Sequence, residues 1–160
     1  MKKFLFAAAI ACLALFTSCE KEGVENTGDT SGNLYGVWVL DTVAESAGAG
    51  KEVTETDYSG VHFYLALGEF PFPHAIAKKG SFTDFDLDDV DVDAVGITYN
   101  EDQKKISFKK TIWLSDSFLQ YNMILDGTLD VLELTDKNFV IRKSDSFTGK
   151  ITTYYYSKYK

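Results

Sequence analysis

The chain contains little cysteine, little proline and a single arginine. Its 160 residues include 2 cysteines, 2 prolines and one arginine, Arg142. It lacks a Gly-x-Ser-x-Gly nucleophile elbow and a glycine-rich phosphate loop, and neither His62 nor His74 stands at metal-ligand spacing from another histidine or a cysteine. The sequence does contain pairs of carboxylates, so a hydrolase that uses two acids is the catalytic alternative. We nevertheless expect a protein that is not an enzyme, with no catalytic residues, no cofactor and no metal.

The chain also lacks an apolar run long enough to cross a membrane as a helix. Residues 1–3 are Met-Lys-Lys, and the following 13 residues, 4–16, are almost all apolar. A membrane-spanning helix needs roughly 20 such residues. A basic start, a short apolar core and a small residue at its end are typical of a secretory signal peptide. We therefore expect residues 1–18 to be a signal peptide, and the alternative is a buried N-terminal helix.

The run Phe16-Thr17-Ser18-Cys19 resembles the bacterial lipobox. The resemblance implies cleavage before Cys19, diacylation of its sulfur and acylation of its nitrogen. The next residues, Glu20-Lys21-Glu22, resemble the export signal of surface lipoproteins in the Bacteroides group. The protein would then be an exported lipoprotein whose N-terminal lipid anchors it to the cell envelope, in the outer membrane or at the cell surface. Two acyl chains are enough for stable anchoring.

Processing of this kind would leave an acidic domain without disulfides. Cys12 lies in the removed segment and Cys19 would carry lipid, so no pair of thiols remains. The 142 residues from 19 to 160 are enough for one domain with a sizeable core. Loss of Lys2 and Lys3 changes the formal net charge from −8 to −10, which argues against nucleic acid or an anionic membrane face as a partner.

A polar segment precedes a region of short alternating strands. Residues 19–33 are rich in Glu, Gly, Asn, Thr, Asp and Ser, which predicts a flexible tether. Residues 34–160 alternate apolar and polar side chains between frequent turn signals, which predicts an all-β domain. The residues between 100 and 103 and between 135 and 138 are predicted hairpin loops. The predicted strands are 35–43, 61–67, 81–87, 95–99, 105–113, 119–134 with a break near Gly127, 139–143 and 151–159.

About eight antiparallel strands can close into an up-and-down barrel, which removes exposed sheet edges. The run LYGVWVL at residues 34–40 resembles the Gly-x-Trp signature of the first lipocalin strand, and LDVLELTDKNFVIRK with GKITTYYYSKYK resembles the closing strands of lipocalin-like bacterial lipoproteins. The resemblance implies structural roles for Gly36 and Trp38 and an arginine over the indole. Arg142 is the expected partner, and the alternative is that Trp38 is ordinary core and Arg142 lies at the surface.

The resemblance implies a small apolar or amphipathic ligand inside the barrel. The expected lining residues are Trp38, Tyr64, Phe72, Phe108, Trp113 and Tyr155. The alternative is a filled barrel that docks an unidentified protein partner, with tyrosines 154, 155, 156 and 159 as the contact. The proline-containing run EFPFPHAIAKKG at residues 69–80 is predicted to be a long connection that acts as a lid or as a permanent plug.

Six aspartates within ten residues form the densest charge cluster. They are Asp84, Asp86, Asp88, Asp89, Asp91 and Asp93. Calcium prefers oxygen ligands, but this run lacks the EF-hand glycine at the sixth position and the glutamate at the twelfth. We expect a solvated acidic rim, with calcium binding as the alternative.

Overall fold

The structure, a computed structural model, describes residues 28–80, 94–117 and 120–159. Within these ranges the secondary structure is entirely β, so no helix there is long and apolar enough to span a membrane. The strands are β1 (Gly36–Ser46), β2 (Val53–Asp57), β3 (Phe63–Gly68), β4 (His74–Lys79), β5 (Val95–Asn100), β6 (Lys105–Asp116), β7 (Tyr121–Leu134), β8 (Asn138–Ser144) and β9 (Ile151–Lys158).

Antiparallel pairing closes these strands into a barrel. Each strand from β3 to β9 pairs with its neighbour in the chain, and β1 pairs with both β3 and β9. The extra strand β2 pairs with the second half of β1, where the pairing of β1 with β3 has ended. The predicted fold class is confirmed: β1 and β3–β9 form an eight-stranded up-and-down barrel consistent with a lipocalin-like architecture.

Seven of the eight predicted strands correspond to β1, β3 and β5–β9. The eighth, at residues 81–87, and the aspartate cluster from Asp84 to Asp93 lie outside the described residues. The prediction missed β2 because all five of its side chains are exposed, so it has no apolar alternation to detect. Both predicted hairpin loops are present, and in the first the carboxamide of Asn100 accepts the backbone N–H of Gln103 at 2.9 Å.

The prediction of a long connection at residues 69–80 is wrong. Its second half is β4, which pairs along its whole length with β3. Both prolines, Pro71 and Pro73, precede the strand, where they remove no hydrogen bond from the ladder. Phe70 and Phe72 are 81% and 44% exposed and therefore do not plug the barrel.

Alternation along the strands places one face of the sheet inside the barrel. Inward side chains from every barrel strand form one cluster of buried apolar residues, with Phe63, Leu65 and Leu125 fully inaccessible to solvent. A smaller cluster of Val37, Tyr64 and Ala66 lies apart from it. Packed side chains therefore occupy the interior of the barrel, and a ligand site has to be sought at its ends or on its outer surface.

The chain enters the barrel at the end where β1 begins. Residues 28–33, the last part of the predicted tether, lie against the end of β7: Gly32 N–H donates to the carbonyl of Leu134 at 2.8 Å, and Leu134 N–H donates to the carbonyl of Asp29 at 2.7 Å. Leu34 is buried in the core. Gly36 opens β1 with φ of 137°, a conformation that residues with a side chain rarely adopt. Cys19 and residues 1–18 are outside the described part of the chain.

Trp38 is completely buried at this closed end, and the cation over its ring is Lys158. The Lys158 Nζ lies 4.1 Å from the ring centroid and donates to the carbonyl of Tyr35 at 2.8 Å. The expected partner Arg142 instead binds Asp130 at 3.0 Å. Register explains the difference, because Lys158 is opposite Trp38 on the adjacent strand, whereas Arg142 is opposite Asp130 and Thr153.

We expect Trp38 and Lys158 to be energetically coupled. A double-mutant cycle of Trp38→Leu and Lys158→Met, measured by urea denaturation, should give a coupling free energy of about 0.5–2 kcal/mol because the ammonium lies over an indole face. The matched cycle of Trp38→Leu with Arg142→Met should give none. Equal coupling in the two cycles would contradict this assignment.

Candidate functional site

The end of the barrel opposite Trp38 opens into a cleft with a volume of about 730 Å³. We call it the mouth cleft. Pockets for small ligands typically measure roughly 300–1,000 Å³, so this cleft has a suitable size. Its lining residues come from β1, β2, the start of β7, the end of β8 and the start of β9, together with the adjoining turns: Val43, Glu45, Thr56, Tyr58, Gln120, Tyr121, Asn122, Ile124, Lys143, Asp145, Lys150, Thr152 and Tyr154.

The mouth cleft exists because β7 and β8 separate at this end of the barrel. The two strands pair only where residues 130–134 lie opposite residues 139–142. Beyond this point β8 continues to pair with β9 as far as Ser144, whereas residues 121–125 of β7 pair with β6. Between the two parts of β7, Gly127 adopts a left-handed φ of 65°. The side of residues 121–126 that faces the cleft is here called the β7 edge, and among the described residues no strand of the barrel lies beside it.

Tyrosine hydroxyls bind the backbone groups of the β7 edge. The Tyr58 hydroxyl donates to the carbonyl of Asn122 at 2.8 Å and accepts the Asn122 N–H at 3.3 Å. The Tyr154 hydroxyl donates to the carbonyl of Ile124 at 2.7 Å. Buried and partly buried backbone groups need such partners. Two side chains therefore supply the hydrogen bonds that a neighbouring strand supplies elsewhere in the sheet.

Aromatic rings separate the mouth cleft from the packed interior. The ring centroids of Tyr58 and Tyr121 are 4.7 Å apart, in an edge-to-face arrangement, and those of Tyr58 and Phe63 are 5.9 Å apart. Deeper in the barrel, the fully buried Tyr156 donates its hydroxyl hydrogen to the sulfur of Met123 at 3.2 Å. The cleft thus has an aromatic floor below a polar rim.

The charged groups of the rim balance one another. Lys150 binds Glu45 at 2.6 Å, and Lys143 forms an ion pair with Asp126 across the separation between β8 and β7. Asp145 accepts two backbone N–H groups in the turn that follows β8. Two lysines and two carboxylates line the cleft, so it favours neither an anionic nor a cationic ligand. The ion pairs are partly exposed, and we expect each to contribute little to stability.

Burial controls the ionisation of the tyrosines at the cleft. It raises the pKa of Tyr58 above the usual value and raises that of Tyr154 further, with Glu45 adding to both shifts. The completely buried Tyr156 also has a pKa well above the usual value because of desolvation. These hydroxyls therefore remain protonated, and able to donate hydrogen bonds, at any physiological pH.

None of the residues predicted to line a ligand site borders the mouth cleft. Trp38 and Phe108 do point into the barrel, but they are part of its packed core. Tyr64 belongs to the separate Val37 cluster, and Trp113 is 69% exposed. A single sequence gives the alternation of a strand but not which of its two faces points inward, so it does not identify the residues that line this cleft.

The remaining predicted lining residues also lie outside the interior. Phe72 is in the connection before β4, and its ring contacts His74. Tyr155 is 39% exposed and lines a separate groove of about 470 Å³. Arg142 lines the same groove. Since the cleft residue Tyr154 alternates with Tyr155 along β9, this groove lies on the outer surface of the barrel.

The sequence prediction missed Tyr58, Tyr121 and the lysines of the rim. Tyr58 follows the end of β2 and Tyr121 is the first residue of β7, and only the three-dimensional fold brings them together across a separation of more than 60 residues. Lys143 and Lys150 were ordinary surface charges in a sequence that has many. The sequence signal that points to this region is the run of three tyrosines at 154–156.

Neither histidine forms a metal site with described residues. His62 lies outside the strand that was predicted to contain it, is exposed and has φ of 57°. His74 is completely buried, with its Nδ1 2.7 Å from the carbonyl of Phe72 and its ring packed against Gly68. In the described ranges, no three His, Cys, Asp or Glu side chains are grouped so that they could hold a metal ion.

The fold and the mouth cleft define a small all-β protein with a lipocalin-like barrel and a candidate binding site at its open end. No family model, no curated protein and no solved structure matches this chain. The functional assignment therefore rests on the residues of the cleft.

We expect the buried tyrosines to make stability fall at alkaline pH. Folding raises the pKa of these tyrosines, so the unfolded chain loses their protons at a lower pH than the folded protein does. The free energy of unfolding is therefore unaffected by them below the unfolded tyrosine pKa of about 10. Above this pH it falls by about 1.4 kcal/mol per pH unit for each such tyrosine. Urea denaturation between pH 8 and 11 measures this slope. Tyr154→Phe should show a shallower slope than the wild type, while Trp113→Phe, which removes no hydroxyl, should match it.

Proposed function

We propose that this protein is a lipid-anchored, non-enzymatic binding protein that holds a small amphipathic ligand in the mouth cleft. The observation that carries the proposal is a cleft of about 730 Å³ with a tyrosine floor and a charge-balanced polar rim. Tyrosine rings offer an apolar surface together with a hydroxyl that hydrogen-bonds, and this combination suits a ligand with both kinds of surface.

The position of the cleft favours an amphipathic ligand over a purely apolar one. Side chains such as Leu65 and Leu125 are completely buried in the barrel interior, where an apolar ligand would otherwise lie. Glu45 and Lys150 stand at the cleft rim and remain about half exposed. A ligand there would contact the rings of Tyr58 and Tyr121 on one side and hydrogen-bonding groups or water on the other.

The lipid anchor is supported by the resemblance of residues 16–19 to a lipobox. In this proposal Cys19 carries the lipid, residues 1–18 are removed and the domain is held at the bacterial envelope, in the outer membrane or at the cell surface. Two or more acyl chains would keep it there permanently.

Native mass spectrometry of the protein purified from its own host tests ligand binding. We expect a retained small molecule whose occupancy falls at least tenfold in Thr152→Trp, because the larger side chain would fill the cleft that Thr152 lines. Trp113→Ala, which changes an exposed residue outside the cleft, is the matched control and should retain the molecule. A wild-type protein without any bound molecule, or equal occupancy in both variants, would refute the proposed site.

Metabolic labelling tests the anchor. In a bacterium that processes lipoproteins, labelled palmitate should enter the wild-type chain and the Cys12→Ser variant but not Cys19→Ser, because only Cys19 would survive cleavage. Label in Cys19→Ser, or none in the wild type, would exclude lipidation at this residue.

The exposed pair Trp113 and Ile124 favours a second candidate function, the docking of a protein partner. These side chains are 69% and 44% exposed and lie directly opposite each other on β6 and β7. Large aromatic residues are enriched at protein interfaces. In this alternative the barrel is structural, and Trp113→Ala rather than Thr152→Trp would abolish the interaction, as measured by co-purification from the host.

A further inference from the structure

We infer that the mouth cleft binds an extended peptide segment of a partner, which pairs with the β7 edge as an added strand. The inference rests on the proposed function of the cleft and specifies the class of its ligand. It also accounts for the Trp113 and Ile124 pair, which the small-ligand proposal leaves unexplained.

The backbone of the β7 edge is arranged for strand pairing. Residues 121–125 are in regular β conformation and pair in register with residues 112–116 of β6. In an antiparallel strand, the N–H and C=O groups of alternate residues point to the same side. The contacts of Asn122 and Ile124 with tyrosine hydroxyls show that their groups point away from β6 and into the cleft.

Strand pairing requires the side chains of Tyr58 and Tyr154, which are 6% and 5% exposed, to move off this edge into the cleft that they line. A hydroxyl can donate or accept, so each tyrosine would then bind the backbone of the incoming peptide. Addition of a strand to a free sheet edge is an established mode of peptide recognition.

The inner and outer faces of the sheet next to the β7 edge would select the side chains of the peptide. Strand residues alternate between faces, so every second peptide residue would lie over the aromatic floor near Tyr58 and Tyr121. The others would lie on the outer face beside Ile124, and opposite Ile124 is Trp113. An apolar peptide side chain at that position would cover this exposed pair.

Length and charge further define the peptide. The β7 edge spans six residues, 121–126, which corresponds to about 20 Å of extended chain. Lys143, Lys150, Glu45 and Asp145 balance one another around the cleft. The preferred ligand is therefore a segment of five or six residues with little net charge and apolar side chains at alternate positions.

A phage-displayed library of random linear heptapeptides, selected on the full folded domain, tests the inference. We expect enriched peptides that bind the wild type and Tyr155→Phe but bind Thr152→Trp at least tenfold more weakly. Affinity is then measured by fluorescence anisotropy with the best peptide in synthetic, labelled form. N-methylation of its backbone should abolish binding at every second residue and leave binding almost unchanged at the residues between, because only alternate N–H groups face the edge.

Variants of the displaced hydroxyls provide a second readout. Because the peptide competes with the tyrosine hydroxyls for Asn122 and Ile124, Tyr58→Phe and Tyr154→Phe should each raise peptide affinity, by about fivefold. Tyr155→Phe, on the outer surface, should have no effect. A ligand recognised by the hydroxyls themselves would instead bind these two variants more weakly. The N-methyl series leaves the protein unchanged, so it remains decisive if either variant fails to fold.

Each other outcome overturns the inference. N-methylation without an alternating pattern would show that no strand is added, and concentration-dependent dimerisation lost in Thr152→Trp would identify a second copy as the occupant. If no heptapeptide is enriched while a small molecule is retained in native mass spectrometry, the peptide inference fails and the proposed function stands. If neither ligand is found, both fail.

Discussion

Hydrogen bonding of the backbone along strand edges governs the whole architecture. Pairing of β1 with β9 turns a sheet with two open edges into a barrel, and the bulge near Asp41 lets β1 stay in contact with β9 along most of its length. Where the pairing of β7 with β8 stops, side chains must provide the hydrogen bonds to the backbone of β7. This interruption explains the contacts of the tyrosine hydroxyls, the Lys143 ion pair and the mouth cleft itself.

The fold was largely predictable from the sequence because its signals are local. Alternation in the stretches that became β1, β5, β6, β8 and β9 gave strand positions to within a few residues, and Asn100 marked a hairpin loop. The two failures have physical causes. Strand β2 is exposed on both faces and carries no apolar pattern, and β4 follows two prolines that stand just before the strand rather than inside it.

The candidate site was not predictable because it depends on register and on facing. Whether Tyr154 or Tyr155 points into the barrel is decided by the pairing of β9 with β1 and β8, which one sequence does not fix. The same uncertainty explains why Arg142 was assigned to Trp38 although Lys158 occupies that position. Tyr58 reaches Asn122 across 64 residues of sequence, and no local pattern reports a contact at that range.

The path of residues 28–33 determines at which end of the barrel the preceding part of the chain is attached. Residues 29 and 32 are fixed to Leu134, at one end of β7, while the cleft is lined by residues 120–124 at the other end of the same strand. An attachment point before residue 28 would therefore hold the molecule by its sealed base. The proposed binding surface would then lie at the end of the barrel away from that attachment point.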